Sequence, residues 1–221
     1  MFETGNSGNL LIETVTKIGP NVAQEAAYCQ YLGDQVCPKI YHIGIDIYTM
    51  EKLLEVPRDK DLLRRMENLL EYKVWNRPAL PSSNEVDWRI KLQKFGIEVP
   101  KWLKTSSPCL CHGDPTASNA LSRNGGRYGR YIIIGDPRPP RDFIPQCRET
   151  DVGRLLQSYF GWEVAAYNCS QVIFDKPKYW SDESLFWCGA AAARIEYLER
   201  SRSSRENILN WCQVVRRICG V

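Results

Sequence analysis

The chemistry-bearing part of this sequence is the run His112-Gly113-Asp114-Pro115-Thr116-Ala117-Ser118-Asn119, with Asp136 following 17 residues after the asparagine. Moving a phosphoryl group onto an alcohol needs a carboxylate beside the acceptor hydroxyl and oxygen ligands for the magnesium that bridges the phosphates. An aspartate with an asparagine five residues on supplies a base and a hard oxygen ligand from one tight turn. Asp136 closes the apolar run Tyr131-Ile132-Ile133-Ile134-Gly135 and would bring a second ligand from the end of a paired strand. An ordinary Asp/Asn turn bonding its own backbone explains the asparagine and the glycine. It does not explain a strand that ends in Gly135-Asp136.

Two strands are expected to bracket this loop, one at 109–111 and one at 131–134 after the Asn124-Gly125-Gly126 turn. Upstream, 9–18 is β-rich, follows a Gly5-Asn6-Ser7-Gly8 loop and is broken by Gly19-Pro20-Asn21. A helix at 22–32 and two short strands at 39–43 and 45–50, turning at Gly44, complete a small strand–helix–strand lobe. Beyond Glu51 the character turns helical. Leu62, Leu63, Met66, Leu69 and Leu70 recur at helical spacing within 59–75, and a second helix is predicted over 85–95 after the Pro78–Ser83 loop. The proline-rich 137–145 reads as a loop. Helices at 150–162, 182–200 (capped by Ser181) and 205–219 close the chain. The expected fold class is α+β and two-lobed: a small β-rich lobe over 1–50 and a larger, mainly helical lobe over 51–221.

Composition narrows the function classes. The 221 residues are 43% hydrophobic and 25% charged, a globular balance. A net charge of +3 is too mild to imply nucleic acid, and the basic run at 200–205 reads as a solvated helix end. Polar residues interrupt every apolar stretch before the roughly 18 residues a membrane span needs, and no signal peptide is visible, so a cytoplasmic protein with no membrane partner is expected. Nine cysteines, an odd number scattered singly apart from Cys109 and Cys111, do not form a disulfide framework. Cys109-Leu110-Cys111-His112 has no second pair at zinc-ligand spacing and reads as small buried hydrophobes on a strand.

The spacing H-x-D-x-x-x-x-N with a downstream aspartate is the kinase arrangement. Reading H-G-D rather than H-R-D, it resembles the aminoglycoside phosphotransferase and choline kinase group, and so a protein-kinase-like fold. That resemblance implies Asp114 as catalytic base, Asn119 and Asp136 as magnesium ligands and His112 as a support for the loop. It also implies Lys17 as the lysine pairing the α/β-phosphates of ATP, with Glu25 as its clamp; Glu13, on the same strand, is the competing partner. Tyr48-Thr49-Met50-Glu51-Lys52-Leu53 resembles the hinge between lobes, where backbone groups around Met50, Glu51 and Leu53 would meet adenine. Asp151 resembles the aspartate that brace such a loop from behind, or else is a helix N-terminal acid. The cofactors implied are ATP and Mg2+, and the partner a small-molecule hydroxyl acceptor.

Three departures qualify the resemblance. Lys17 comes only nine residues after Gly8, so the lobe is one strand short and a homo-oligomer or partner would complete it. Gly5-Asn6-Ser7-Gly8 reads as a remnant phosphate loop or a frayed terminus. Pro137 is expected to hold Asp136 in extended geometry, and Arg138-Pro139-Pro140-Arg141 reads as a rigid exposed loop or a cationic rim. Trp162, Glu163, Trp180, Asp182, Glu183 and Trp187 would suit a sugar ring or a cationic amine on the acceptor side. The alternative to an enzyme is a catalytically inactive nucleotide-binding regulatory or interaction module of the same fold; a protein kinase fits the H-G-D loop less well.

Overall fold

A computed structural model of the protein describes residues 13–81, 88–104, 107–123, 132–139, 145–200 and 206–221. These residues have an α+β fold, with two small antiparallel sheets and a helical remainder among them. Among the described residues, no helix is long and apolar enough to cross a membrane.

β1 (Thr14–Ile18), β2 (Ile40–Ile43) and β3 (Ile47–Glu51) form the first sheet in the order β1-β3-β2, with Lys17 opposite Tyr48. Between β1 and β2 lies α1 (Val22–Leu32), with the bounds its periodicity predicts. Its buried face, Val22, Ala26, Cys29 and Leu32, lies in a core shared with Leu62, Leu63, Met66 and Leu70 of α2 (Leu62–Lys73). Those four α2 side chains are fully buried, each contributing about 1.5–3 kcal/mol of apolar burial. Among the described residues β1 lies at the edge of this sheet, and its Val15 and Ile18 are exposed. The Gly5–Gly8 loop lies outside the described residues.

The second sheet corrects the expectation for the strands around the loop. β4 (Leu54–Glu55), β5 (Ala120–Ser122) and β6 (Ile132–Ile134) pair in that order, with Ala120 opposite Ile134. The partner of β6 therefore follows the 112–119 loop instead of preceding it. Residues 109–111 are not a strand. Cys109 N donates to Gln146 O at 3.0 Å and Leu110 N to Arg77 O at 2.9 Å, so surrounding loops satisfy this buried backbone one group at a time. An isolated bridge there links Cys109 to Pro78. All nine cysteines are free thiols.

The helical remainder comprises α3 (Trp88–Gln93), α4 (Arg148–Tyr159), α5 (Trp162–Tyr167), α6 (Asp182–Glu199) and α7 (Glu206–Cys219). The helix expected over 150–162 starts two residues earlier and stops before Gly161, whose φ of 82° ends one helix and begins the short α5. Residues 85–87 of the helix expected over 85–95 lie outside the described residues, as do the 124–126 turn and most of the proline-rich loop. Ser181 caps α6 in a reciprocal box: Ser184 N donates to Ser181 Oγ at 3.2 Å and Ser181 N to Ser184 Oγ at 2.9 Å.

α4 and α6 touch closely because Gly153 has no side chain. A Cβ there would stand 2.9 Å from both Cys188 N and Trp187 Cβ. Gly153→Ala is therefore expected to push the two helices apart and cost about 1–3 kcal/mol, read as a lower urea midpoint at unchanged slope. A midpoint equal to wild type would mean that the contact yields freely.

Candidate active site

Three charged side chains from distant parts of the chain meet at one point. Lys17 Nζ, on β1, lies 2.6 Å from Glu25 Oε1 on α1 and 3.0 Å from Asp136 Oδ1 just beyond β6. Tyr48, opposite Lys17 in the sheet, donates its hydroxyl to the same Glu25 oxygen at 2.8 Å. Glu13 does not compete, since it pairs with Lys52 at 2.9 Å. Burial opposes the charge on Lys17, but the hydrogen bond to Glu25 and the charges of Asp136 and Glu25 outweigh it and raise its pKa. Lys17 and Asp136 are exposed enough that these pairs add little stability, about 0–1 kcal/mol. What they fix is position.

The loop from His112 to Asn119 is held from behind by α4. The Asp151 carboxylate is fully buried and accepts from His112 N and Gly113 N, each at 2.8 Å, and from Trp75 Nε1 at 3.0 Å. Losing it would leave three donors without a partner at about 1–3 kcal/mol apiece. Burial raises the Asp151 pKa, against the pull of His112 and these donors. The far end of the loop rests on Ser158 and Glu163. Ser158 Oγ takes Ala117 N at 2.8 Å and donates to Glu163 Oε1 at 2.7 Å, which also accepts from Ser118 N.

His112 is fully buried, with Nε2 3.1 Å from Ile134 O and Nδ1 facing Asp114 N at 3.4 Å. It ties the loop to β6. Gly135 N donates to Asn119 O at 2.8 Å and Arg138 N to His112 O at 2.9 Å, so the two candidate turns are stitched backbone to backbone. Gly113 permits this approach. Its φ is 87°, and a Cβ would fall 2.3 Å from Arg138 O.

Asp114 is buried except for a small opening, and its Oδ2 lies 2.8 Å from Arg138 Nε. Arg138, read from sequence as part of an exposed loop or rim, thus contacts the candidate base directly. Asn119 spends its amide nitrogen on Asp114 O at 2.8 Å, which leaves Oδ1 without a hydrogen bond from the described residues. Asn119 and Asp136 line one open cleft, together with Glu55, Arg58 and Ser118. An amide oxygen and a carboxylate from residues lining one cleft are hard donors of the type that suits magnesium, which keeps waters and phosphates as its other ligands. No group of three or more His, Cys, Asp or Glu that could hold a metal occurs among the described residues.

Other expectations fare differently. Asp136 is not extended: its φ is 49°, a left-handed turn unusual outside glycine, although aspartate tolerates it better than most residues. The preference imposed by Pro137 gives way to the turn that carries the carboxylate to Lys17. Met50 and Glu51 end β3, and Leu53 precedes β4. The N–H groups of Glu51 and Lys52 are already taken by Lys39 O and Glu13 O, and the Glu51 carboxylate holds Arg123. The aromatic and acidic set is spread over the helical part, with Glu163 under the 112–119 loop and Trp187 packed on Trp88 and Phe186. Trp162 packs at a tilt on Trp211, Trp180 packs edge-on against Tyr159 and Phe160, and Asp182 and Glu183 occupy the first turn of α6. Sequence gave no signal for the Trp75, Tyr48 or Ser158 contacts, which depend on tertiary approach.

No protein-family model matches the chain, and no curated protein matches it.

Burial lowers the His112 pKa below the ordinary imidazole value, against the pull of the Asp151 charge. The unfolded chain then takes up a proton that the folded one refuses, so the His112 contribution is complete above about pH 6.5 and is lost as pH falls below it. Burial shifts Asp151 up from the ordinary aspartate value, so the folded chain holds that proton more tightly and its contribution runs in the opposite sense. The unfolding free energy should fall between pH 7 and 5.5 with a slope of at most about 1.4 kcal/mol per pH unit. His112→Gln, which can keep the donor to Ile134 O, should flatten that slope; an unchanged slope would assign it elsewhere.

Proposed function

We propose that the protein is an ATP-dependent phosphotransferase of the aminoglycoside phosphotransferase and choline kinase type, with a two-lobed kinase-like fold and a short amino-terminal lobe. The observation that carries this reading is the Lys17–Glu25–Asp136 cluster. A strand lysine clamped by a helix glutamate and aimed at the aspartate beyond β6 is what binding and aligning the phosphates of ATP requires.

In this mechanism Lys17 leaves Asp136 to bond the α/β-phosphates, while Glu25, backed by Tyr48, keeps the ammonium from following solvent. Asn119 and Asp136 would hold Mg2+, which would neutralise charge on the phosphates. Asp114 faces the acceptor. As the acceptor oxygen forms its bond to the γ-phosphorus, the bond from that phosphorus to the ADP oxygen breaks and the hydroxyl proton passes to the Asp114 carboxylate. Arg138 holds that carboxylate before the acceptor arrives and must release Oδ2 for it to accept the proton.

The inactive-module reading draws on the same Arg138–Asp114 pair, which blocks the base as it stands, and on the exposed edge strand β1. Turnover separates the two. With a panel of small hydroxyl compounds, magnesium-dependent ATP consumption is expected, and Asp114→Asn should reduce it at least 10³-fold with melting temperature and ATP affinity nearly unchanged. ATP binding without turnover in wild type would select the module. Labelling of a polypeptide instead of the panel would select a protein kinase.

Asp136→Ala should weaken ATP binding measured calorimetrically with magnesium, by about tenfold or more, and change it little in EDTA. Equal affinity with and without the metal in wild type would remove Asp136 from the metal site.

A further inference from the structure

The reading above gives the phosphates one lysine and a metal, and a further cation stands at the same site. Asn119 and Asp136 line an open cleft of about 740 Å³, within the size range of small-molecule sites. Ser118 of the 112–119 loop lines it beside them. So do Glu55 and Arg58, from the end of β4 and the segment leading to α2, and Cys169 just past α5.

Local turns bring 58 and 169 together. Asp59 N donates to Pro57 O at 3.0 Å, which folds the chain tightly around Arg58 before α2 begins. At the other end, α5 stops at Asn168 in a left-handed turn, with φ at 53°, and Cys169 leaves the helix there. Arg58 Nη1 then donates to Cys169 Sγ at 3.0 Å. Among the described residues this is the only hydrogen bond or ion pair of Arg58.

The acids that could neutralise Arg58 are committed elsewhere. Asp59, next in the chain, gives both carboxylate oxygens to Arg65 Nη2, at 2.8 and 2.7 Å. Asp175, whose N–H reaches Lys60 O, pairs with Arg64 at 3.6 Å. A thiol is a weak acceptor, whereas a guanidinium fork matches two oxygens of a phosphate, and such charge-assisted bonds are about twice as strong as neutral ones. The sulfur fixes where the half-buried guanidinium stands and leaves its other donors to solvent or to a ligand.

Charge decides which ligand. The cleft sets two carboxylates, Glu55 and Asp136, against one guanidinium, a balance that repels a bare polyanion. A magnesium ion on Asn119 and Asp136 would reverse its sign. We propose that Arg58 is a ligand of the phosphate chain, binding phosphate oxygens of the magnesium nucleotide while Lys17 serves the same chain from β1. The nucleotide rests on the phosphotransferase reading; a magnesium–polyphosphate site in the cleft stands on Arg58 and the two candidate metal ligands.

Calorimetric titration of the full chain with tripolyphosphate, ATP and adenosine, each with magnesium and in EDTA, tests it. Tripolyphosphate and ATP should both bind with magnesium, and at least tenfold more weakly in EDTA. Arg58→Gln should weaken both at least tenfold with magnesium present and leave adenosine unchanged; Arg58→Lys should keep part of the affinity. If Arg58→Gln does not fold, phenylglyoxal labelling of the wild type reads the same contact: magnesium-ATP should shield Arg58, located by peptide mass, and adenosine should not. Tripolyphosphate that does not bind the wild type or binds equally in EDTA, an Arg58→Gln protein with full affinity for it or with adenosine lost as well, or labelling of Arg58 indifferent to magnesium-ATP would overturn the proposal. Binding of both anions that depends on Arg58, without ATP consumption on the hydroxyl panel, would keep the site and overturn the transferase reading. Magnesium-dependent ATP consumption that Arg58→Gln leaves unchanged would do the opposite.

Discussion

A buried carboxylate organises this molecule. Asp151 sits in the first turn of α4 and gathers the backbone N–H groups of His112 and Gly113 and the indole N–H of Trp75. An isolated charge at full burial would be expelled or neutralised, so the three donors and the helix N-terminus are conditions of its presence. Through them one side chain joins α4, the end of α2 and the entry to the catalytic-type loop. Gly153, two residues on, lets α4 lie against α6, and Ser158, two turns on, holds the loop's far end through Ala117. The loop is thus seated along most of one helix, and its geometry is inherited from that helix.

The second turn of the candidate site is fixed in a different way. Asp136 takes a left-handed backbone that its neighbour Pro137 disfavours, and its carboxylate reaches Lys17 as a result. Strain of this kind, on the order of 1–3 kcal/mol, persists where surrounding bonds over-determine it. Here the Gly135–Asn119 and Arg138–His112 backbone bonds do so on both sides. In the proposed enzyme that strain places a carboxylate where lysine and metal both need it. The Arg138–Asp114 contact then acts as a resting state, with a cation holding the base until an acceptor displaces it.

The placing of rings and charges on the helical elements follows from the same packing. Trp162 and Trp180 pack against other rings, Glu163 supports the 112–119 loop, and Asp182 and Glu183 stand in the first turn of α6. Arg58, with no signal in the sequence, shares a cleft with Asn119 and Asp136 only once the segment after β4 meets the turn after α5.

The sequence by itself determined the periodic elements and the local chemistry. The bounds of α1, the Ser181 cap, the β2–β3 hairpin at Gly44 and the H-G-D-x-x-x-x-N run are all written in short-range patterns of apolarity, turn residues and spacing. It also ordered Lys17, Glu25 and Asp136 along the chain. Tertiary structure alone decided which groups meet: that β6 pairs with 120–122 and not with 109–111, that Lys17 reaches Glu25 and Asp136 while Glu13 turns to Lys52, and that Arg138 covers Asp114. The reason is range. Periodicity and capping are set by neighbours a few residues apart, whereas pairing across 119 residues is set by which buried backbone and charged groups find partners once the core has closed.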